Sequence, residues 1–155
     1  MPSFKGEYDH SVDAKGRVAF PAKLRKILNP EAQEHFTLLR GMDPCLYLYP
    51  VDEWANVEEK LAGINGFTRT GSTVKRNFLR FAEDVSLDKQ NRIQLSSNLM
   101  QWAGIENRAI FIGSGERIEI WSPDKLEEVD ASLSFESYQE LFEKAMGGDD
   151  AGDSQ

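Results

Sequence analysis

Short runs of apolar residues, rich in β-branched and aromatic side chains, recur along the chain and are bounded by Gly, Asn, Asp or Pro. Four such runs predict strands, namely FTLLRG, CLYLYP, AIFIGS and RIEIWS. Apolar residues at helical spacing predict helices over Asp52–Leu61, Val74–Ala82 and Pro123–Leu133. A further helix is predicted in ESYQELFEKAM, with one apolar face made of Tyr138, Leu141, Phe142 and Ala145. The chain is therefore predicted to be mainly β with short helices, an α+β fold.

The chain also contains an internal repeat. SVDAKGRVAFPAKL at Ser11–Leu24 returns as SLDKQNRIQLSSNL at Ser86–Leu99, with its Asp and its Arg both displaced by 75 residues. Each copy is followed by two predicted strands and a helix, and NGFTRTGST between the halves has the composition of a connecting loop. We therefore predict two tandem modules, at residues 1–64 and 83–134. A loop and helix at 65–82 would join them, and a helix with an acidic, disordered tail would follow at 135–155.

The repeated segment has the residues of a tight turn between two strands. Gly16 can adopt a positive φ without steric cost. Asn91 stands at the same place in the second copy, and Asn tolerates that conformation better than other residues that carry a side chain. Asp13 can accept a hydrogen bond from the backbone N–H two residues further on, which would close the turn. The two copies are thus predicted to be one structural unit used twice.

Each predicted turn carries two cations. Lys15 and Lys89 lie near the turn tips, and Arg17 and Arg92 begin the strands that follow. One explanation is a local Asp–Arg ion pair, but a pair on the surface contributes only about 0–1 kcal/mol. Two basic tips in the two halves of one chain fit better with contact to a polyanion.

The charge distribution allows such a partner although the net charge is −8. The stretch from Ser122 to the end accounts for that whole charge, so residues 1–121 are neutral overall. Basic residues outnumber acidic ones in Met1–Lys26 and in Lys75–Arg92, which contain or adjoin the two repeated segments. This asymmetry is compatible with a nucleic-acid contact that the total charge hides.

Several other classes of protein are not indicated. No run of 18 apolar residues predicts a membrane span, the first residues lack a secretory signal, and the single cysteine, Cys45, is expected to be a buried hydrophobic residue of a cytosolic protein. His10 and His35 have no neighbours at metal-ligand spacing, so neither a metal nor another cofactor is expected. No nucleophile stands with a base and an orienting group, so we do not expect an enzyme. The three tryptophans are predicted to be core residues: Trp54, Trp102 and Trp121.

At these motifs the chain resembles the MraZ family of bacterial transcriptional regulators. The resemblance covers about the first 140 residues and is carried by FKGEYDHSVDAKGRVAFPAKLR, LYLYP, FAEDVSLDKQNRIQL and IEIW. It implies two swapped-hairpin modules of the AbrB/SpoVT type, packed as a barrel-like pseudo-dimer within one chain. It further implies a homo-oligomeric ring of several protomers that binds repeated boxes of double-stranded DNA. Those boxes would lie in the promoter ahead of the division and cell-wall gene cluster, which such a nucleoid-associated protein would repress.

The same resemblance assigns residues to the DNA contact. The family's motif falls on Lys15, Gly16 and Arg17 in the first half and on Lys89 and Arg92 in the second, with Asp13 and Asp88 expected to orient the turns. This chain departs from the family pattern at Asn91 and Ser96, where Gly and Pro are usual, so we rank Arg17 above Arg92. The alternative function is a structural module that assembles with protein partners and does not contact DNA.

Overall fold

A computed structural model describes residues 3–30 and 34–147. The strands in this part of the chain are β1 (Glu7–Ser11), β2 (Arg17–Ala19), β3 (His35–Arg40), β4 (Leu46–Pro50), β5 (Glu83–Ser86), β6 (Arg92–Gln94), β7 (Arg108–Ser114) and β8 (Arg117–Trp121). The helices are α1 (Ala22–Arg25), α2 (Val51–Ala62), α3 (Arg69–Leu79), α4 (Ser97–Ala103), α5 (Pro123–Ala131) and α6 (Phe135–Gly147). Two compact units are distinguished, one within Met1–Lys125 and the other within Leu126–Gln155. None of the described helices is long and apolar enough to cross a lipid bilayer.

The strands of the first unit form two antiparallel sheets in the described chain. The larger sheet has the order β1-β7-β8-β4-β3-β5, and β2 pairs with β6 in the smaller one. The first strand of each half therefore pairs with the other half: Tyr8 of β1 lies opposite Phe111, and Val85 of β5 lies opposite Phe36. If each strand is replaced by its counterpart in the other half, the result is the same strand order read from the opposite edge of the sheet. This is the pattern of a two-fold pseudo-dimer. The predicted fold class, with its swapped hairpins, is confirmed.

The core lies where the two halves meet. It contains residues from corresponding places in each half, including Val18 and Ile93 of the small sheet and Leu24 and Leu99 of the short helices. Phe20 contacts Phe36 of its own half and Phe111 of the other, with ring centroids 5.3 and 6.1 Å apart. Because apolar side chains of both halves fill one cluster, each half completes the core of the other.

The strand β4 is buried along its whole length, which explains why its sequence, LYLYP, is apolar on both faces. Leu46 and Leu48 face the shared core. Tyr49 on the other face packs against Trp54 of α2 with ring centroids 5.7 Å apart, and Trp54 stacks in turn on Phe78 of α3. Helices α2 and α3 therefore cover the sheet here.

The connector between the halves differs from the prediction. The loop predicted at 65–73 is shorter, because α3 already begins at Arg69. Thr68 caps this helix: its side-chain oxygen accepts a hydrogen bond from the Gly71 N–H at 3.0 Å. The predicted limits of the two modules, 1–64 and 83–134, stay a prediction, because strands of each half pair with strands of the other half. Helix α6 forms as expected, whereas residues 148–155 of the predicted tail lie outside the described residues.

Candidate nucleic-acid interface

The two repeated turns have the same hydrogen-bond geometry. One carboxylate oxygen of Asp13, Oδ1, accepts hydrogen bonds from the N–H groups of Lys15 and Arg17, both at 2.9 Å. Oδ1 of Asp88 accepts the corresponding bonds from Gln90 and Arg92, at 2.8 and 2.9 Å. Each aspartate therefore closes its turn as the sequence predicts.

The reversal of the chain in each turn requires a left-handed backbone. Gly16 has a φ of 81° and Asn91 a φ of 59°. A β-carbon at Gly16 would lie 2.6 Å from the Leu95 carbonyl oxygen, so glycine is needed there for space as well as for conformation. The turn conformation predicted for both residues is present.

Each aspartate uses its second oxygen to hold the arginine of its own turn. The Nε of Arg17 lies 2.8 Å from Oδ2 of Asp13, and the Nε of Arg92 lies 2.9 Å from Oδ2 of Asp88. The local ion pair is therefore real, and the arginine side chains are still 33% and 28% exposed. In the described chain, neither arginine uses its terminal Nη1 and Nη2 groups in a hydrogen bond within the protein. These groups remain available as forked donors to a ligand.

Pairing of β2 with β6 brings the two turns together. Arg17 lies opposite Gln94 and Arg92 lies opposite Ala19 in this short ladder. Nη1 of Arg92 is consequently 4.0 Å from Oδ2 of Asp13, so one aspartate contacts the arginines of both halves. We name Asp13, Arg17, Asp88 and Arg92 the arginine cluster. Residues 75 positions apart in the sequence thus form one continuous surface.

The aspartates of the cluster remain charged at neutral pH. The pKa of Asp13 is lowered, chiefly by the hydrogen bond from the Arg17 backbone N–H. The pKa of Asp88 is lowered in the same way by the Arg92 N–H. Both carboxylates therefore continue to orient their arginines across the physiological pH range.

The two lysines lie on the exposed turns but not at equivalent positions. Lys15 corresponds to Gln90 in the repeat, and Lys89 corresponds to Ala14. The cationic tips are therefore similar in charge but offset by one residue. Their contact with DNA stays a prediction, as does that of Gly16 and the two arginines.

One polar residue beside the turns was not identified from the sequence. The side-chain Nε2 of Gln94 donates a hydrogen bond to the Lys15 carbonyl oxygen, which joins the second half of the chain to the first turn. Its role depends on the register between β2 and β6. A sequence pattern within either half carries no information on that register.

The cysteine and two of the three tryptophans considered in the sequence analysis are buried in the structure. Cys45 is fully buried, which raises the pKa of its thiol. Trp54 and Trp121 are buried as predicted, but Trp102 is 37% exposed and near the Arg40 guanidinium, so its assignment to the core is wrong. Within residues 3–30 and 34–147, no group of three or more His, Cys, Asp or Glu side chains is placed to hold a metal ion.

Comparison with known proteins identifies the family. The family model of the MraZ protein, which its description calls antitoxin-like, matches residues 3–77 and again residues 78–147. A protein of Clostridium tetani named transcriptional regulator MraZ is 41% identical over 138 residues, which are 88% of this chain and 94% of the relative. Proteins of the same name from Caldanaerobacter subterraneus and Syntrophomonas wolfei are 43% and 42% identical. These alignments cover 89% and 92% of this chain and 93% and 96% of the relatives.

The two family matches divide the chain between its two repeated halves, each of which contains one Asp–Arg turn. The repeat, the exchanged strands and the extended similarity to the relatives agree with one another. The chain belongs to the MraZ family.

Proposed function

We propose that this protein is a sequence-specific DNA-binding transcriptional regulator and that its arginine cluster contacts the double helix. The single observation that carries the proposal is the convergence of Arg17 and Arg92 on one surface, where their terminal nitrogens make no hydrogen bond within the described chain. The aspartate of each turn holds the arginine of that turn through Nε, so each guanidinium is oriented before DNA binds. Names of the relatives support the same function.

Each group in the arginine cluster, and each of the two lysines beside it, has a proposed task that suits its chemistry. The forked donors of the arginines can bind two acceptors at once, either phosphate oxygens or the O6 and N7 atoms of guanine in the major groove. Lys15 and Lys89 act as point charges toward phosphates. Asp13 and Asp88 fix the turns and the arginines without contacting DNA.

One protomer offers about four cations, too few for tight binding at physiological salt. We therefore propose that several copies assemble into a ring and bind repeated boxes in a promoter, which they repress. Linked sites can raise avidity by about 10² to 10⁴ when their spacing fits the target. The boxes proposed are those of the protein's own promoter ahead of the division and cell-wall genes, and the proposed location is the cytoplasm at the nucleoid.

Exposed apolar side chains on α6 support the assembly of several copies. Phe135, Tyr138, Leu141, Phe142 and Met146 are between 47% and 74% exposed. A helix that presents so many large apolar side chains to water is typical of a surface that contacts another protein. We name these five residues the α6 stripe.

The test is the Arg17→Ala variant in a quantitative operator-binding assay. Loss of one forked contact is expected to weaken binding at least about tenfold. The matched control is Arg108→Ala, because Arg108 also pairs with an exposed aspartate, Asp9, but in the β1–β7 ladder rather than in a turn.

The two variants separate the alternatives. Weaker binding by Arg17→Ala, with near wild-type binding by Arg108→Ala, would support the proposal. Equal losses in both variants would mean that only total charge matters. An unchanged affinity in Arg17→Ala would favour the alternative, a module that assembles with proteins through surfaces such as the α6 stripe.

A further inference from the structure

We infer that Gln94 is a positioning residue which fixes the first turn and makes the two turns of the arginine cluster unequal. The hydrogen bond from Gln94 to the Lys15 carbonyl would preorganise the first turn for DNA, whereas no such bond to the second turn is present among the described residues. This inference rests on the proposed DNA-binding function and names a residue that the DNA-contact motif does not include.

Internal symmetry provides the reference for this difference. The backbone bonds that close the first turn are Asp13 N–H to the Arg17 carbonyl, at 2.9 Å, and Gly16 N–H to the Asp13 carbonyl, at 3.0 Å. The second turn repeats both with Asp88, Asn91 and Arg92, each at 2.9 Å. Because the aspartate bonds are repeated too, the hydrogen bonds that close the two turns are alike.

The symmetry is broken by what lies across the small sheet. Gln94 faces Arg17, and the residue that faces Arg92 at the equivalent position is Ala19. The Gln90 carbonyl in the second turn corresponds to the Lys15 carbonyl in the first. The methyl side chain of Ala19 cannot donate a hydrogen bond to it. In the described chain, the Gln90 carbonyl receives no hydrogen bond from a side chain.

The additional bond occurs where the backbone has most freedom. In the first turn the residue after the bonded carbonyl is Gly16, whose backbone has the largest conformational freedom of any residue. In the second turn the same place holds Asn91, which is more restricted by its side chain. The Leu95 carbonyl leaves no room for a side chain at position 16, so this position must be the flexible residue glycine. The hydrogen bond from Gln94 compensates for that flexibility.

The position of Lys15 is fixed on both sides as a result. Its N–H donates to Asp13 Oδ1 at 2.9 Å, and its carbonyl accepts from Gln94. Within residues 3–30 and 34–147, Gln90 has the first of these bonds but not the second. A turn that is ordered before binding loses less conformational entropy on contact with DNA, so the first turn should contribute more affinity.

The experiment combines two reciprocal variants of the full chain, Gln94→Leu and Ala19→Gln. Leucine keeps much of the volume but cannot donate, and Ala19→Gln gives the second turn the group it lacks. Backbone ¹⁵N relaxation of Lys15, Gly16, Gln90 and Asn91 measures the order of both turns without DNA. Operator affinity and its salt dependence are measured in parallel.

We expect Gln94→Leu to lower the order of Lys15 and Gly16 and to weaken operator binding about three- to tenfold. That is the effect of one ordinary hydrogen bond. The slope of affinity against salt should not change, because the phosphate contacts remain the same. Ala19→Gln should raise the order of Gln90.

Unchanged order of Lys15 and Gly16 in Gln94→Leu would overturn the inference. Lower order with unchanged affinity would also overturn it, because the bond would then have no bearing on binding. If wild-type protein did not bind operator DNA at all, the proposed function would fail. The relaxation data would still decide whether Gln94 orders the turn.

Discussion

At position 16 the chain combines a positive φ of 81° with close contact to a neighbouring backbone. We expect Gly16→Ala to lower the free energy of unfolding by about 2–3 kcal/mol, because the alanine is strained and its β-carbon lies against the Leu95 carbonyl. The matched control is Gly115→Ala, where φ is 79° but no atom lies within 4 Å of the added carbon. Urea unfolding of both variants separates the cost of conformation from the cost of space.

The control is expected to lose only about 1 kcal/mol, the cost of the conformation alone. Equal losses in the two variants would show that the contact with Leu95 relaxes freely. In that case the space around the first turn would not restrict position 16 to glycine.

The lowered pKa values of Asp13 and Asp88 predict how the stability of the protein depends on pH. Their pKa values are lowered in the folded protein, mainly by backbone N–H groups of Arg17 and Arg92. A lowered pKa gives stabilisation that is complete above the pKa of the unfolded chain, about 3.9, and is lost as the pH falls through the lower pKa of the folded state.

Wild-type stability should therefore fall as the medium is acidified below about pH 4, and the Asp13→Asn variant should lose less over the same interval. The amide keeps an oxygen acceptor for the two N–H groups but has no proton to gain. Unfolding in urea at a series of pH values measures the difference. Parallel curves for the two proteins would contradict the prediction.

The elements of this fold differ in how far the sequence determines them. The turns were predictable because the interactions of Asp13, Gly16 and Asn91 are local. The buried strand β4 was predictable from its apolar run. Pairing of β2 with β6 across 75 residues was indicated only by the family resemblance, since no local pattern specifies it.

Where the prediction failed, the cause lies in long-range or cap interactions. Helix α3 begins earlier than its apolar pattern because Thr68 caps a polar first turn. The hydrogen bond from Gln94 could not be predicted, because it depends on which residue of the other half lies opposite Arg17. The cluster of two arginines follows from the same pairing.

Strand exchange also predicts how fragments behave. A fragment of residues 1–64 lacks β7, the partner of β1, and β6, the partner of β2. We expect neither this fragment nor residues 65–147 to unfold cooperatively as a monomer, because each lacks half of the shared core. Mixing the two fragments should restore a cooperative transition, measured by urea unfolding with near-ultraviolet circular dichroism.

Any folded form of one fragment alone should be a dimer, in which a second identical copy supplies the missing strands. Sedimentation analysis determines this directly. A stably folded monomer of residues 1–64 would contradict the exchange of β1 and β2.

On the scale of the whole molecule, the distribution of charge along the chain fits the two proposed functions, DNA binding and assembly. The arginine cluster lies in the neutral stretch of residues 1–121, and the net charge of −8 resides after it. In the second unit, α6 carries three glutamates and one lysine alongside its apolar stripe. Such a helix is unsuited to DNA and suited to contact with protein, which supports the proposal that the first unit binds DNA and the second mediates assembly.

This division predicts that assembly can be removed while the DNA-contacting unit stays folded. The variant Tyr138→Glu/Phe142→Glu places two charges within the α6 stripe, where burial against another chain would leave them unpaired. We expect a single-chain mass by light scattering and unchanged near-ultraviolet circular dichroism from Trp54 and Trp121. Operator affinity should fall about 10² to 10⁴-fold as the linked sites are lost.

The matched control, Ser137→Glu/Gln139→Glu, adds the same charge to α6 outside the stripe and should leave both mass and affinity near wild type. An unchanged mass in the stripe variant would place the assembly contact elsewhere on the protein. A single chain that bound operator DNA as tightly as wild type would refute multivalent binding. The two turns of one protomer would then suffice for recognition, because no linked site would remain to raise the avidity.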